Sequence, residues 1–298
     1  LEPRLLGEVT ACANPADPFC LPKAALVLRG LVPADGDPNT PLDDVLRARG
    51  GGLRLATGTS IPRGSGLGTS SILAGAVLAG LGRLQGVELS NAALFDEVLC
   101  LEQMMTTGGG WQDQVGGLVG GIKLVCTEPG LPQVIQLEPL SLSPRTEAEL
   151  ARRLVLVYTG QQRLAKNLLQ KVMGRWMARD PEMVQIQSEI ARLALAMRDA
   201  LLSRDVDGFG ALLSEHWTLN KRRDPGSSNP FIDELCEVMR PYISGGKLAG
   251  AGGGGFAIVI ARSEGAAQGL SRELKRTYAN TTVAIWPCAV PAEGMVCG

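Results

Sequence analysis

No apolar run in this chain approaches the roughly 18 residues that a membrane-spanning helix needs, so none is expected. The seven cysteines, at positions 12, 20, 100, 126, 236, 288 and 297, are odd in number and show no CxxC spacing. That pattern argues against a disulfide framework and a zinc site. Several cysteines lie in apolar stretches, as reduced core thiols do, which points to a reducing, cytoplasmic compartment; Cys12 and Cys20 are read as free. The single histidine, His216, precedes Trp217 in a helical stretch and is read as structural. Serine-hydrolase chemistry needs a base beside a nucleophile, and nothing in the sequence supplies that pairing. A strong charge of either sign is also missing: 29 basic and 30 acidic residues leave a net charge of −1. Nucleic acid and anionic membranes are therefore not expected partners, and a small molecule is. The first residues, Leu1-Glu2-Pro3-Arg4, include neither an initiator Met nor a signal-peptide pattern, so the chain is expected to be a piece of something longer.

What is present is enough for a substantial core. The chain has 298 residues, 45% of them hydrophobic and 20% charged, which suits one large domain or two lobes. Residues 23–31 read as a short helix, followed by a turn-rich loop over 32–41. Residues 52–60 alternate as a strand does, with Leu53, Leu55 and Thr57 on one face. A nearly apolar run predicts a buried helix over 69–84, and Ser90 is placed to cap a second helix reaching about Met105. Strands are expected at 121–127 and 132–138, and 139–144 reads as a lobe boundary, giving lobes 1–144 and 145–298. Beyond it come a buried strand over 153–159, then helices near 163–178, 181–203, 205–222 and 230–240. Strands at 247–250 and 256–262, a helix over 265–277 and a strand over 281–286 complete the series. That order implies a ferredoxin-like arrangement for the second half. Trp176, Trp217, Met173 and Met177 are read as helix packing.

The segment Pro62-Arg63-Gly64-Ser65-Gly66-Leu67-Gly68-Thr69-Ser70-Ser71 carries the strongest chemical signal. Glycines let backbone N–H groups approach a phosphate, and the helix that follows aims its positive end at the same point. Thr69, Ser70 and Ser71 add oxygens for capping, phosphate contact or a metal ion. A turn that only lets a strand and a helix pack closely has no need of three hydroxyls. No Lys precedes those hydroxyls, so the loop is not a Walker P-loop. Ser71 stands where the dinucleotide fingerprint needs its third glycine, and no acidic ribose ligand follows at the right spacing.

Two carboxylates follow the loop. Glu102 lies near the C-terminal end of its helix, where the dipole disfavours a negative charge. Asp113 lies in Gly108-Gly109-Gly110-Trp111-Gln112-Asp113-Gln114, a stretch whose backbone can approach a ligand. One carboxylate can hold Mg²⁺ while the other orients or deprotonates a hydroxyl nucleophile. A second glycine tract, Gly250-Ala251-Gly252-Gly253-Gly254-Gly255, is either a tight turn or a floor beneath the first loop that leaves room for a phosphoryl group. The basic run Lys221-Arg222-Arg223 sits at a helix end where the dipole favours cations, and a phosphate contact there is secondary.

Pro62-x-x-Ser65-Gly66-Leu67-Gly68-Thr69-Ser70-Ser71 resembles the second motif of the GHMP small-molecule kinases, and Leu248-Ala-Gly250-Ala-Gly-Gly-Gly-Gly255-Phe256 resembles their third. Both occur in the family's order, and the likeness spans most of the chain. The stretches Gly64 to Ala74, Thr106 to Gly117, Leu156 to Gly160 and Arg163 to Asn167 resemble the L-fucose kinase branch, which is often fused to a GDP-fucose pyrophosphorylase region. The Ser228-Asn229-Pro230 segment is shared with the heptose 7-phosphate kinases, the alternative branch.

The resemblance implies an α+β, two-lobed GHMP kinase fold whose N-terminal lobe has a mixed sheet and helices and whose C-terminal lobe is ferredoxin-like. It implies ATP and Mg²⁺ as cofactors, with Pro62 and Gly64 to Ser71 on the triphosphate, Ser70 and Glu102 on the metal, and Asp113 as the catalytic carboxylate. Gly109, Gly110, Trp111, Gly252, Gly253 and Gly254 would lie near the substrate or its phosphate. The acceptor implied is the anomeric hydroxyl of L-fucose. The family's first motif is expected upstream of residue 1, so that this chain alone would bind sugar poorly. A non-catalytic nucleotide-binding module of the same fold is the competing expectation.

Overall fold

A computed structural model describes residues 2–14, 16–106, 109–130, 132–162 and 166–297, with the side chains of 166–170 left aside. It divides into two compact units, one of Leu1–Ser60, Gly68–Gly120 and Glu293–Gly298, the other of Ile61–Leu67 and Gly121–Ala292.

The first unit contains α1 (Leu6–Thr10), α2 (Cys20–Leu28), α3 (Leu42–Arg47), α4 (Thr69–Leu84), α5 (Asn91–Met104) and α6 (Gln112–Leu118). α4 buries Ala74, Val77, Leu78 and Leu81, so the nearly apolar run becomes a central helix. Ser90 caps α5 by accepting from the Ala93 N–H at 3.3 Å. Cys12 and Cys20 are free, and the Cys20 thiol donates to the Cys12 carbonyl at 2.7 Å. Of the sheet expected in residues 1–144, the described residues show the antiparallel pair at 123–127 and 135–139, which falls in the second unit; the described residues of the first unit form only an isolated bridge between Leu5 and Pro41. Residues 52–60 are not assigned as a strand. Their alternation suits a half-buried surface, but a strand also needs a neighbour to pair its backbone, and none is found among the described residues. Leu53 and Leu55 remain 39% and 37% exposed.

The second unit begins its regular structure with an antiparallel pair, β1 (Lys123–Thr127) and β2 (Ile135–Pro139). The stretch 139–144 leads directly into α7 (Pro144–Arg153), which the sequence reading did not include; Ser143 caps it and Pro144 fills its first position. There follow β3 (Leu154–Tyr158), α8 (Lys166–Met177), α9 (Pro181–Leu202), α10 (Val206–Arg223), α11 (Pro230–Met239), β4 (Ile243–Leu248), β5 (Phe256–Ala261), α12 (Glu264–Thr277) and β6 (Ala284–Trp286). Side chains of Asp180, Asp205, Asn229 and Ser263 cap α9, α10, α11 and α12, which explains why those starts are visible in the sequence.

The sheet order β4-β5-β3-β6, all antiparallel, is the ferredoxin-like arrangement expected from the element order. One face packs Val155, Val157 and Val259 against Ile232 and Leu235 of α11 and Leu270 and Leu274 of α12. The other packs Ile260 against Leu213 of α10 and Leu201 of α9. Met173, Trp176 and Met177 were expected in packing, but they are 53%, 50% and 78% exposed on one face of α8. Trp217 is buried at 7%.

Phe256 anchors the sheet. It is 1% exposed, with its ring centroid 5.1 Å from that of Tyr158 and 5.3 Å from that of Trp286. Phe256→Ala removes those contacts and leaves a cavity, so it is expected to cost about 3–5 kcal/mol. Urea unfolding followed by circular dichroism measures this as a lower midpoint with an unchanged slope.

Candidate active site

The first half of the glycine loop belongs to the second unit. Ser65 is 3% exposed; its hydroxyl accepts the Leu67 N–H at 3.2 Å, and its carbonyl accepts the Phe256 N–H at 2.9 Å. Gly66 has φ 75°, and a Cβ there would stand 2.6 Å from the Ala249 carbonyl oxygen. A Cβ on Gly255 would stand 2.3 Å from the Ser65 carbonyl oxygen. Gly64 to Gly66 therefore lie directly on the tract that closes β4 to β5, and only glycines permit so close an approach. Within that tract the Gly253 N–H donates to the Ser227 carbonyl at 2.5 Å.

The second half of the loop opens the first unit. Gly68, at φ 68°, is the N-cap of α4 and brings no capping side chain. A Cβ on it would lie 2.8 Å from the Asp113 Cβ, so the loop and the Asp113 side chain are in contact. One turn into the helix, the Ser71 hydroxyl donates to Glu102 Oε1 at 2.5 Å. Ser71 is 3% exposed and Glu102 is 5% exposed, whereas Ser70, between Thr69 and Ser71, faces solvent. It is thus Ser71 that touches Glu102. Gly109 closes over the carboxylate from the other side, where a Cβ would stand 1.9 Å from Oε2.

Burial pushes the Glu102 carboxyl above the usual carboxylate range; the nearby Asp113 charge pushes it further, and the Ser71 hydroxyl partly offsets both. Asp113 sits in the first turn of α6, beyond its N-cap Trp111; its side chain still reaches solvent, and the protein packed around its carboxyl raises that pKa too. Gln114, which sequence reasoning passed over, is 0% exposed. Its amide nitrogen is best turned toward the carbonyls of Gly110 and Trp111, each 3.1 Å away, so it pins the turn that presents Asp113. Thr107, Gly108 and Arg163 to Ala165, parts of the stretches singled out in the sequence, lie outside the described residues.

Among the described residues, no group of three or more His, Cys, Asp or Glu could hold a metal by itself. Two carboxylates and adjacent hydroxyls form a hard oxygen set that fits Mg²⁺, an ion that commonly completes its shell with phosphate oxygens and water. Gly109→Ala forces the Glu102 carboxylate to move without touching the core. Its expected outcome is a weaker Mg²⁺ requirement curve, shifted to higher metal concentration, with an unchanged circular dichroism spectrum.

A glycine-rich loop opening a helix, a carboxylate pair beside it and a ferredoxin-like unit suit a small-molecule kinase. Residues 41–121 match the family described as GHMP kinases N terminal domain, and residues 197–280 match GHMP kinases C terminal. The chain belongs to the GHMP kinase family, whose members are ATP-using phosphotransferases. It is 44% identical over 259 residues to a bifunctional fucokinase/GDP-fucose pyrophosphorylase of Arabidopsis thaliana, covering 87% of this chain and 24% of that protein. It is 36% identical over 264 residues to the L-fucokinase/L-fucose-1-P guanylyltransferase of Bacteroides fragilis, covering 88% of this chain and 28% of that protein. The chain thus spans about a quarter of the length of these relatives. The crystal structure of Lactococcus lactis galactokinase complexed with galactose superposes with a TM-score of 0.62 at 15% identity, covering 93% of this chain and 75% of that one. That likeness is one of fold. Among the described residues no helix is long and apolar enough to cross a membrane.

Proposed function

We propose that this chain is the kinase part of a fucose-salvaging polypeptide, transferring the γ-phosphoryl group of ATP to the anomeric hydroxyl of L-fucose. The products are fucose 1-phosphate and ADP. The observation that carries this is the Ser71–Glu102–Asp113 cluster directly behind a phosphate-suited glycine loop, in a chain 44% identical to a fucokinase-containing relative. Pro62 and Gly64 to Ser71 contact the triphosphate through backbone N–H groups and hydroxyls. Ser70 and Glu102 would hold Mg²⁺, with the Ser71 hydroxyl steadying the Glu102 carboxylate, and the ion would neutralise charge on the phosphates. Asp113 accepts the hydrogen bond of the attacking hydroxyl and takes its proton as the oxygen–phosphorus bond forms and ADP departs. Its raised pKa makes it a better proton acceptor than an ordinary carboxylate. Gly109, Gly110 and Trp111 of the first unit, and Gly252, Gly253 and Gly254 of the second, are the further residues proposed to act on the substrate or its phosphate. A pyrophosphorylase region of the same polypeptide consumes the product by nucleotidyl transfer.

The test is ADP release by the full-length polypeptide with Mg·ATP and either L-fucose or D-glycero-D-manno-heptose 7-phosphate. Turnover with fucose is the expected result. Turnover with the heptose phosphate alone assigns the chain to the alternative branch. Nucleotide binding without ADP release for either sugar makes it a non-catalytic module.

A further inference from the structure

On the second unit, one face of α10 gathers polar groups that have nothing to bind among the described residues. Asn220 is 0% exposed, and among the described residues neither its Nδ2 nor its Oδ1 has a hydrogen-bond partner. His216 and Arg223 lie four residues before and three after it, hence on the same face. His216 Nδ1 and Arg223 Nε are likewise buried without partners. Asp224, just past the helix end, uses Oδ1 to accept the Gly226 N–H at 2.8 Å, and its Oδ2 is buried with no partner among the described residues. A folded chain rarely leaves so many buried polar atoms unsatisfied in one place unless something else completes them.

The facing strand supplies a second cation. β4 lies against α10 through Gly245, where a Cβ would meet the Gly210 carbonyl oxygen at 1.9 Å, and through the Gly246 N–H, which donates to Ser214 Oγ at 3.0 Å. Lys247, two residues beyond Gly245, points to the same face. Arg223 and Lys247 are close enough that Arg223 lowers the Lys247 pKa, burial adding the larger part, to about 8. Both cations, after burial, hold His216 neutral at about 3.

Neighbouring cations have acids: Lys221 pairs with Asp233 at 3.6 Å, Arg222 with Glu182 at 3.6 Å, and Arg175 with Asp180 at 2.7 Å. Arg223 and Lys247 make no ion pair among the described residues; Asp224 is the one acid near enough to act on Arg223. Two crowded cations and several orphaned donors are costly alone and are complemented by an anion.

We propose that Asn220, Arg223 and Lys247, with His216 and Asp224 at the rim, form an oxyanion-binding site for the phosphate or carboxylate group of a small molecule. Arg223 and Lys247 supply charge, the Asn220 amide nitrogen supplies a neutral donor, and Asn220 Oδ1 and Asp224 Oδ2 accept hydroxyls that the ligand carries. The site does not depend on the kinase assignment, because none of its groups belongs to the Glu102–Asp113 cluster.

The probe is inorganic phosphate, titrated into the full-length chain at constant ionic strength with thermal unfolding as readout, and acetate in a parallel series. Wild type is expected to gain stability with phosphate, following the logarithmic dependence of a bound ligand. Lys247→Met is expected to lose that gain while keeping stabilisation by Mg·ATP, and Lys247→Arg to retain both. Acetate acting as phosphate does, through the same residue, assigns a carboxylate ligand; phosphate acting alone assigns a phosphate. A wild-type chain indifferent to both anions, or a Lys247→Met chain that still responds, overturns the proposal. Should Lys247→Met not fold, trace acylation of wild type with mass-spectrometric quantification of Lys247 decides. Saturating phosphate at about ten times its Kd is expected to slow modification roughly tenfold, and an unchanged rate rejects the site.

Discussion

Asp113→Asn is expected to lower kcat by roughly 10²–10⁴-fold with little change in the affinity for ATP, the range that removal of a proton-accepting group in phosphoryl transfer produces. The substitution keeps the side chain's size, and Asp113 meets the loop through Cβ contact with Gly68, so the loop geometry should survive. Its signature is therefore a loss of turnover without a loss of nucleotide binding. Rate measurement by coupled ADP release and binding by calorimetry separate the two. A parallel drop in ATP affinity would mean that Asp113 shapes the loop rather than the chemistry. In the wild type, both carboxylates titrate above the usual carboxylate range, Glu102 through burial and Asp113's charge, Asp113 through the protein packed around its carboxyl. Activity that needs both ionised falls as pH drops through those raised values, so the acid limb of kcat/KM should begin earlier than an exposed carboxylate would dictate. Saturating Mg²⁺ favours the ionised forms and moves the limb back to lower pH.

Glu102→Gln separates function from stability. It removes the charge proposed to hold Mg²⁺, so Mg²⁺-dependent turnover is expected to fall by about two orders of magnitude or more, the size of an electrostatic group's contribution. Stability should move the other way. A carboxyl whose folded pKa is raised binds its proton more tightly in the native state than in the unfolded chain. Its ionisation therefore costs stability as pH rises from the unfolded to the folded pKa, and the full cost persists above that window. Glutamine carries no such cost and can still accept from Ser71 through its carbonyl. At neutral pH the variant should match or exceed wild type in urea midpoint, and the difference should shrink below the carboxylate range. A variant both inactive and unstable at neutral pH would show that Glu102 serves as a structural hydrogen-bond acceptor.

The second unit was legible because its signals are local. Asp180, Asp205, Asn229 and Ser263 mark helix starts by side-chain capping, and the β3 and β5 strands are short apolar runs bounded by turns. Residues 52–60 misled for the opposite reason: alternation describes the side chains of a strand, but a ladder is a property of two segments. Around the carboxylates, sequence located Glu102 and Asp113 by their unusual settings. It had no means of choosing Ser71 over Ser70 as the Glu102 partner, because adjacent helix positions differ only in which face they present. Gln114 and Lys247 were overlooked for a similar reason. An amide inside a glycine turn and a lysine in a strand carry no spacing rule, and their significance comes from burial against other elements. His216 read as structural for lack of a partner in sequence; its neighbours Arg223 and Lys247 are brought to it by the fold.

The central claim is that the glycine loop and its carboxylates transfer a phosphoryl group to a sugar hydroxyl. The most direct measurement is phosphorus NMR of the full-length polypeptide with Mg·ATP and L-fucose, beside the Asp113→Asn variant. The account predicts a sugar 1-phosphate resonance growing in step with ADP in the wild type and nearly absent in the variant. ADP appearing at the same rate in both, or ATP bound and never consumed, would contradict it.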